Sequence, residues 1–380
     1  MITRQRIVTF GIPTAAAATI ALAAGLTPWA HDRDGDGPGQ VSKPRPDPGD
    51  QHQIDVVFAV DTTGSMGGLI DGAKRTVWSI ASHIRKTDPN ADLRIGLVAY
   101  RDVGDDYITR DFSLTNDLDS VFVELSGYRA AGGGDTPEDV DAALDVALHK
   151  MQWREGAKKL VFVVGDAPPA SRGDVPTFDV LAREAGERQI VLNTIRCGWD
   201  QETASSFQQI ASLGHGEFST IQQDGGVQQV ATPYDAKMAE LSETIDRTTV
   251  IVGDEGARHR YEAKMAVAAE AAPAAKADRA EYYAAKPGAP RDDGDLVGGV
   301  ASGTVDLDGV KDSELPSDFR GMDKTSLKNE LAKRAETRKA AQKEIEALSK
   351  KRTEYLSTKT ASKPDGFDAA VKATVEKQLK

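Results

Sequence analysis

The stretch Ile54–Met66, IDVVFAVDTTGSM, constrains this chain more than any other. Ile54 to Val60 is β-branched, nearly continuous in hydrophobicity and about one strand long, which predicts a strand buried on both faces. The run stops at an acid, Asp61, placed at the strand's carboxyl end. In an open parallel sheet, ligands bind at that end, where the strand order reverses. Asp61, Thr63 and Ser65 are two apart, and Gly64 permits a tight turn, so their oxygens can converge on one small cation. Hard oxygen donors with no nearby Cys or His favour Mg²⁺, Mn²⁺ or Ca²⁺ over zinc.

The rest of the central region alternates strand and helix patterns. Leu69, Ile70, Ala73, Val77, Ile80, Ala81 and Ile84 recur at helical spacing. A strand follows over Leu93 to Tyr100, then an antiparallel edge strand over Tyr107 to Phe112 and a short helix over Leu118 to Leu125. Pro137 suits the first turn of a helix, with Glu138 and Asp139 at its positive end, and Thr136 serves as a candidate cap. Leu160 to Val164 is a second apolar strand and ends in Gly165-Asp166. Alternation continues with a helix over Phe178 to Ala185, strand Ile190 to Ile195, helix Thr203 to Leu213, strand Glu217 to Ile221 and helix Tyr234 to Arg247. Six strands interleaved with helices predict a doubly wound, Rossmann-like α/β domain with a mainly parallel sheet over residues 52–253.

Composition shifts on either side of that domain. Arg4 and Arg6 precede an Ala-rich apolar segment from Ile7 to Gly25, which predicts a signal peptide over residues 1–30. Residues 31–51, rich in Pro, Gly and Asp, are expected to be a disordered linker. Within it Asp32-Arg33-Asp34-Gly35-Asp36-Gly37 copies half of an EF-hand calcium loop, but Lys43 stands where the bidentate Glu is needed, so an acidic spacer is the better reading. Residues 254–320, rich in Ala, Gly, Pro and Asp, are expected to be a low-complexity linker with a transient helix around Tyr261 to Tyr283. Residues 321–380 form a C-terminal helical region: a charged helix from Asp323 to Leu356 with an interrupted coiled-coil stripe, then a helix whose Phe367, Val371, Val375 and Leu379 suggest docking onto the preceding helix. The formal charge of −12 argues against a nucleic-acid partner. The one cysteine, Cys197, follows a predicted strand and reads as a buried, inert thiol. No apolar run after the signal is long enough to span a bilayer.

Asp61-x-Thr63-x-Ser65 after a hydrophobic strand resembles the first loop of the metal-ion-dependent adhesion site (MIDAS) of von Willebrand factor A (VWA) domains. Gly132-Gly133-Gly134-Asp135-Thr136-Pro137-Glu138 looks like the second loop, and Val161-Phe162-Val163-Val164-Gly165-Asp166 like the third. Arg94 to Asp102, Gly165 to Pro169 and Asn193 to Gly198 look like the bacterial exported branch of that superfamily. The resemblance covers roughly Ile54 to Val252. It implies Asp61, Thr63, Ser65, Thr136 and Asp166 as metal ligands, with Asp135 as an alternative source of the second-loop oxygen. It also implies a divalent ion, Mg²⁺ with Mn²⁺ or Ca²⁺ as alternatives, whose open position takes an acidic side chain from a protein partner. The expected protein is a non-enzymatic binding or adhesion module, exported to the periplasm or secreted, or held by its N-terminal segment if the signal is retained. The rival is a haloacid dehalogenase-like phosphohydrolase with Asp61 as acyl-phosphate nucleophile, but Thr63 stands where an acid is needed and Lys158 and Lys159 precede their strand.

Overall fold

The computed structural model describes residues 52–134, 137–227, 230–285, 290–359 and 366–379. The expected signal segment, the linker over 31–51, and Asp135 and Thr136 of the second loop lie outside the described residues. Six strands form one sheet: β1 (His52–Asp61), β2 (Ala91–Tyr100), β3 (Thr109–Thr115), β4 (Lys158–Gly165), β5 (Ile190–Cys197) and β6 (His215–Ile221). Their spatial order is β3-β2-β1-β4-β5-β6, with β3 antiparallel to β2 and the other pairs parallel. The chain leaves β1 towards β2 on one side and later returns to β4 on the other. The carboxyl end of β1, where Asp61 sits opposite Tyr100, is therefore the switch point of the sheet.

The alternation of β1 explains the two helical layers. Val56, Phe58 and Val60 face a core closed by α1 (Gly67–Thr87) and α2 (Leu118–Gly127). Val57 and Ala59 face a second core closed by α3 (Val140–His149), α4 (Phe178–Glu187) and α5 (Gln201–Leu213). Each expected strand and helix of this region is present, with α6 (Asp235–Thr248) closing it. Cys197 is buried, and burial pushes its thiol pKa well up, as an inert core thiol requires.

One helix starts later than expected. The Glu138 main chain bonds to the loop after β4, its N–H donating to Pro168 O at 3.1 Å and its carbonyl accepting from Ala170 N–H at 2.8 Å. Extended pairing of this kind excludes helical geometry at Glu138. Asp139 becomes the cap instead, accepting from Ala142 N–H at 2.9 Å.

The stretch 254–320 is a folded part of the structure rather than a linker. It forms α7 (Glu255–Ala269), α8 (Pro273–Ala284) and α9 (Leu296–Ser302), with three short 3-10 turns after them. Asp254 and Asp295 cap α7 and α9, and Gly303, at φ 73°, ends α9 in the left-handed conformation. Ala275 and Tyr282 reach the core under α1, while Ala277, Ala280 and Ala284 pack against Met238 and Ile245 of α6. Small side chains allow this close helix approach while leaving little hydrophobic signature in the sequence.

The C-terminal helices are present as α10 (Lys324–Lys359) and α11 (Phe367–Gln378). The first lies along α6, α8 and α9, burying Leu327, Leu331, Ala341 and Ile345. The expectation that α11 docks on the preceding helix is corrected. Its Phe367, Val371 and Val375 join the core beneath α1, with the Phe367 ring edge-on to Phe58 at 6.0 Å. Among the described residues no helix is long and apolar enough to cross a membrane.

Candidate metal centre

The carboxyl ends of β1 and β4 bring the first and third loops together. Asp61 is fully buried, and its Oδ1 accepts from the Thr63 N–H at 2.8 Å and from the Thr63 hydroxyl at 2.7 Å. The Thr63 hydroxyl lies 3.4 Å from Ser65 Oγ, so three of the predicted donors form one cluster. Asp61 Oδ2 is buried with no hydrogen-bond partner among the described residues. Such an atom costs stability unless something charged or polar meets it.

Asp166, directly after β4, places its carboxylate beside Asp61. Its own contacts are the Gln223 side-chain amide, which donates to Oδ2, and the Thr203 hydroxyl, which donates to its carbonyl oxygen at 3.2 Å. Gly165 allows the two loops to meet, because a Cβ there would collide with the Tyr100 hydroxyl and lie 3.4 Å from Asp61 Cβ. Burial, and then the negative field of Asp166, pushes the Asp61 pKa up to about 7 against the lowering effect of the Thr63 hydrogen bonds. The folded site therefore calls for a proton or a cation.

The second loop closes over the first. Gly64 N–H donates to Gly132 O at 3.2 Å, and Ala131 N–H donates to Thr62 O at 3.1 Å. Gly132 and Gly133 both have positive φ, at 77° and 72°. A Cβ on Gly133 would stand 2.9 Å from the Thr63 Cβ and 3.2 Å from Glu138 Oε1, so glycine is required at this crossing. The loop is anchored by Asp105, whose carboxylate accepts from Gly133 N–H at 3.1 Å.

Sequence reasoning gave Glu138 only a helix-end role. Its side chain is buried, its Oε2 lacks a partner among the described residues, and its pKa rises to about 8. Burial is the main cause, followed by the fields of Asp61, Asp102, Asp105 and Asp166. The signal was present as a second acid in the Asp135-Thr136-Pro137-Glu138 run. Helix-dipole reasoning accounted for it too cheaply.

Among the described residues no three Asp, Glu, His or Cys side chains form a metal-holding group. The donor set is instead mixed: Asp61 and Asp166 carboxylates with the Thr63 and Ser65 hydroxyls. An unpartnered buried carboxylate oxygen, a neighbouring like charge and two hydroxyls fit a hard divalent cation.

Residues 55–232 match the von Willebrand factor A domain family. An ariadne-like RING finger protein of Acanthamoeba polyphaga mimivirus is 31% identical over 35% of this chain and 13% of its own length. The alpha-protein kinase vwkA of Dictyostelium discoideum is 31% identical over 30% of this chain and 18% of its own length. The chain thus spans less than a fifth of either relative. Among solved structures, mussel byssus proximal thread matrix protein 1, in a form with a zinc-occupied MIDAS motif, is 16% identical over 46% of this chain and 42% of that one, with a TM-score of 0.37. The sheet order, the loops at the ends of β1 and β4 and the family match make residues 55–232 of this chain a von Willebrand factor A domain.

Proposed function

We propose that this protein is an exported, non-catalytic binding module that captures a protein partner through a divalent cation at the carboxyl end of β1. The observation that carries the reading is the buried, unpartnered Asp61 Oδ2 beside Asp166 and the two hydroxyls. Asp61, Thr63, Ser65 and Asp166 would hold the ion, with Thr136 or Asp135 as the second-loop donor. Bound there, the ion supplies electrophilic attraction for a carboxylate, and a shell that is partly uncharged hydroxyl leaves that attraction strong. The chain's own residues do the rest: Thr63 orients Asp61, Gln223 orients Asp166, and the Gly132-Gly133 crossing sets the distance of the second loop. Mg²⁺ is the proposed ion, since all the donors are hard oxygens.

Phosphoryl transfer lacks support at this site. Lys158 and Lys159 start β4, at the end of the sheet opposite Asp61, so neither supplies the cation that such a reaction needs. Export rests on Arg4 and Arg6 ahead of the apolar Ile7 to Gly25 segment. The test is affinity capture from the native envelope with immobilised protein, once in Mg²⁺ and once in EDTA. A partner retained only in Mg²⁺, and not by Asp61→Ala, supports the proposal. Capture indifferent to both would defeat it.

A further inference from the structure

A second feature adjoins the metal loop and has the opposite charge. Between the β2–β3 connection and the end of α2 lies a cavity of about 360 Å³ lined by Arg101, Asp106, Tyr107, Arg110, Tyr128 and Arg129. Three guanidinium groups and a single carboxylate surround it, in a chain of net charge −12. Asp106 is largely solvent-exposed and meets Arg101 only at 3.5 Å.

Arg101 is a fixed charge. It is buried, donates from Nε to Thr62 O at 3.1 Å and from Nη2 to Arg129 O at 2.8 Å, and lies 4.4 Å from the Tyr107 ring centre. Arg110 is exposed, lies 5.3 Å from the Tyr107 ring centre, and makes no ion pair among the described residues, although Glu124 feels its field. Arg129, also exposed, donates to the Ser126 and Tyr128 carbonyls and likewise meets no carboxylate among the described residues. The Tyr128 hydroxyl is buried without a partner among the described residues and lies in the field of Glu124, Tyr107, Arg110 and Asp111.

One residue joins this cavity to the metal loop. Thr62, between Asp61 and Thr63, shares a 2.7 Å hydrogen bond with the Tyr107 hydroxyl and gives its carbonyl to Arg101. The cavity therefore borders the same loop that carries Asp61 and Thr63, with Thr62 as the shared residue.

We propose that the Arg101–Arg110–Arg129 cavity is a second acceptor for the same partner, taking another carboxylate of an acidic peptide segment whose first acid reaches the metal. The inference rests on the metal-capture reading for that first contact. Guanidinium groups suit it because they present paired donors to a carboxylate and lose little hydration. The cavity makes the partner an acidic run rather than a lone acid. It also supplies attraction that persists when the metal is removed, but only at low ionic strength.

The test uses the full chain and a fluorescein-labelled hexa-aspartate peptide at low salt. In Mg²⁺ the double variant Arg110→Glu/Arg129→Glu should bind the peptide at least tenfold more weakly than wild type, while keeping the wild-type rise in melting temperature on Mg²⁺ addition. Arg183→Glu, an exposed reversal on α4, should change binding less than twofold. In EDTA the wild type should retain weak, salt-sensitive binding that the double variant lacks. Wild-type affinity in the double variant, an equal loss in Arg183→Glu, or no peptide binding by wild type would overturn the second acceptor. Absence of any Mg²⁺-induced melting shift in wild type would instead sink the metal reading, and the EDTA comparison would then decide the cavity by itself.

Discussion

Arg279 donates from Nε and Nη2 to both carboxylate oxygens of Asp119, at 2.8 and 2.6 Å, although the two residues are 160 positions apart and almost wholly buried. The same guanidinium also meets Asp246 at 2.6 Å, and Arg291 reaches Asp246 at 2.8 Å. Helix α8 is thereby fastened to α2 and α6, so the region after residue 254 shares the stability of the α/β domain. Removing one partner of a buried pair strands the other charge and costs about 3–5 kcal/mol. Arg279→Ala should lower the unfolding free energy by that order in a urea titration and expose 254–284 to protease. Unchanged stability, or early cleavage there in wild type, would show that the segment hangs free.

Acid should loosen the same junction. Burial opposes ionisation of Asp246, but Arg279 and Arg291 outweigh it and bring its pKa down to about 2. Its unfolded value is near 4, so the carboxylate contributes stability above about pH 4 that is lost as pH falls towards 2. The contribution is about 2 kcal/mol. The stability gap between wild type and Asp246→Asn should therefore be widest near neutrality and narrow between pH 4 and pH 2. A gap constant across that range would remove the ion pairs from the account.

The last helix should prove part of the core. Phe367 lies against Phe58 of β1 and is buried with Val371 and Val375. Phe367→Ala should cost roughly 3 kcal/mol, as large-to-small changes at packed aromatic sites do. Equilibrium unfolding followed by far-UV circular dichroism checks this, and a loss below about 1 kcal/mol would mean that α11 packs loosely.

Trp199 is 75% exposed in the loop after β5, one residue before the Asp200 cap of α5, whose Thr203 bonds the Asp166 carbonyl. On the proposed metal-capture reading, an exposed aromatic near the loop that holds Asp166 would suit a partner as an anchor. Trp199→Ala should weaken capture by about 2 kcal/mol, roughly thirtyfold, and leave the melting temperature unchanged. Equal capture by the variant would place the interface elsewhere.

The sheet was legible because Val56, Val57, Phe58, Ala59 and Val60 are apolar on both faces and the run ends abruptly in Asp61. The clustering of the Asp61, Thr63 and Ser65 oxygens was legible because the three residues alternate around Gly64 directly after the strand. What escaped reading depends on distance along the chain. Ala275, Ala277 and Ala280 bury little area each, and Arg279 looks solvent-seeking until Asp119 and Asp246 are placed around it. Glu138 looks like a helix-end charge until the turn after β4 pairs with its main chain. The stripe on α11 was visible, yet nothing local says that its partner is α1 and β1 rather than the adjacent helix.

Metal-linked stability tests the central claim most directly. A divalent ion that neutralises Asp61 and Asp166 binds the folded state alone, and at a hundredfold excess over its dissociation constant it adds about 2.7 kcal/mol. Calorimetric scans of the full chain with Mg²⁺ and with EDTA should differ by roughly 5 °C for wild type. They should coincide for Asp61→Ala. Coincident scans for wild type, or an equal shift in the variant, would contradict a cation held by Asp61.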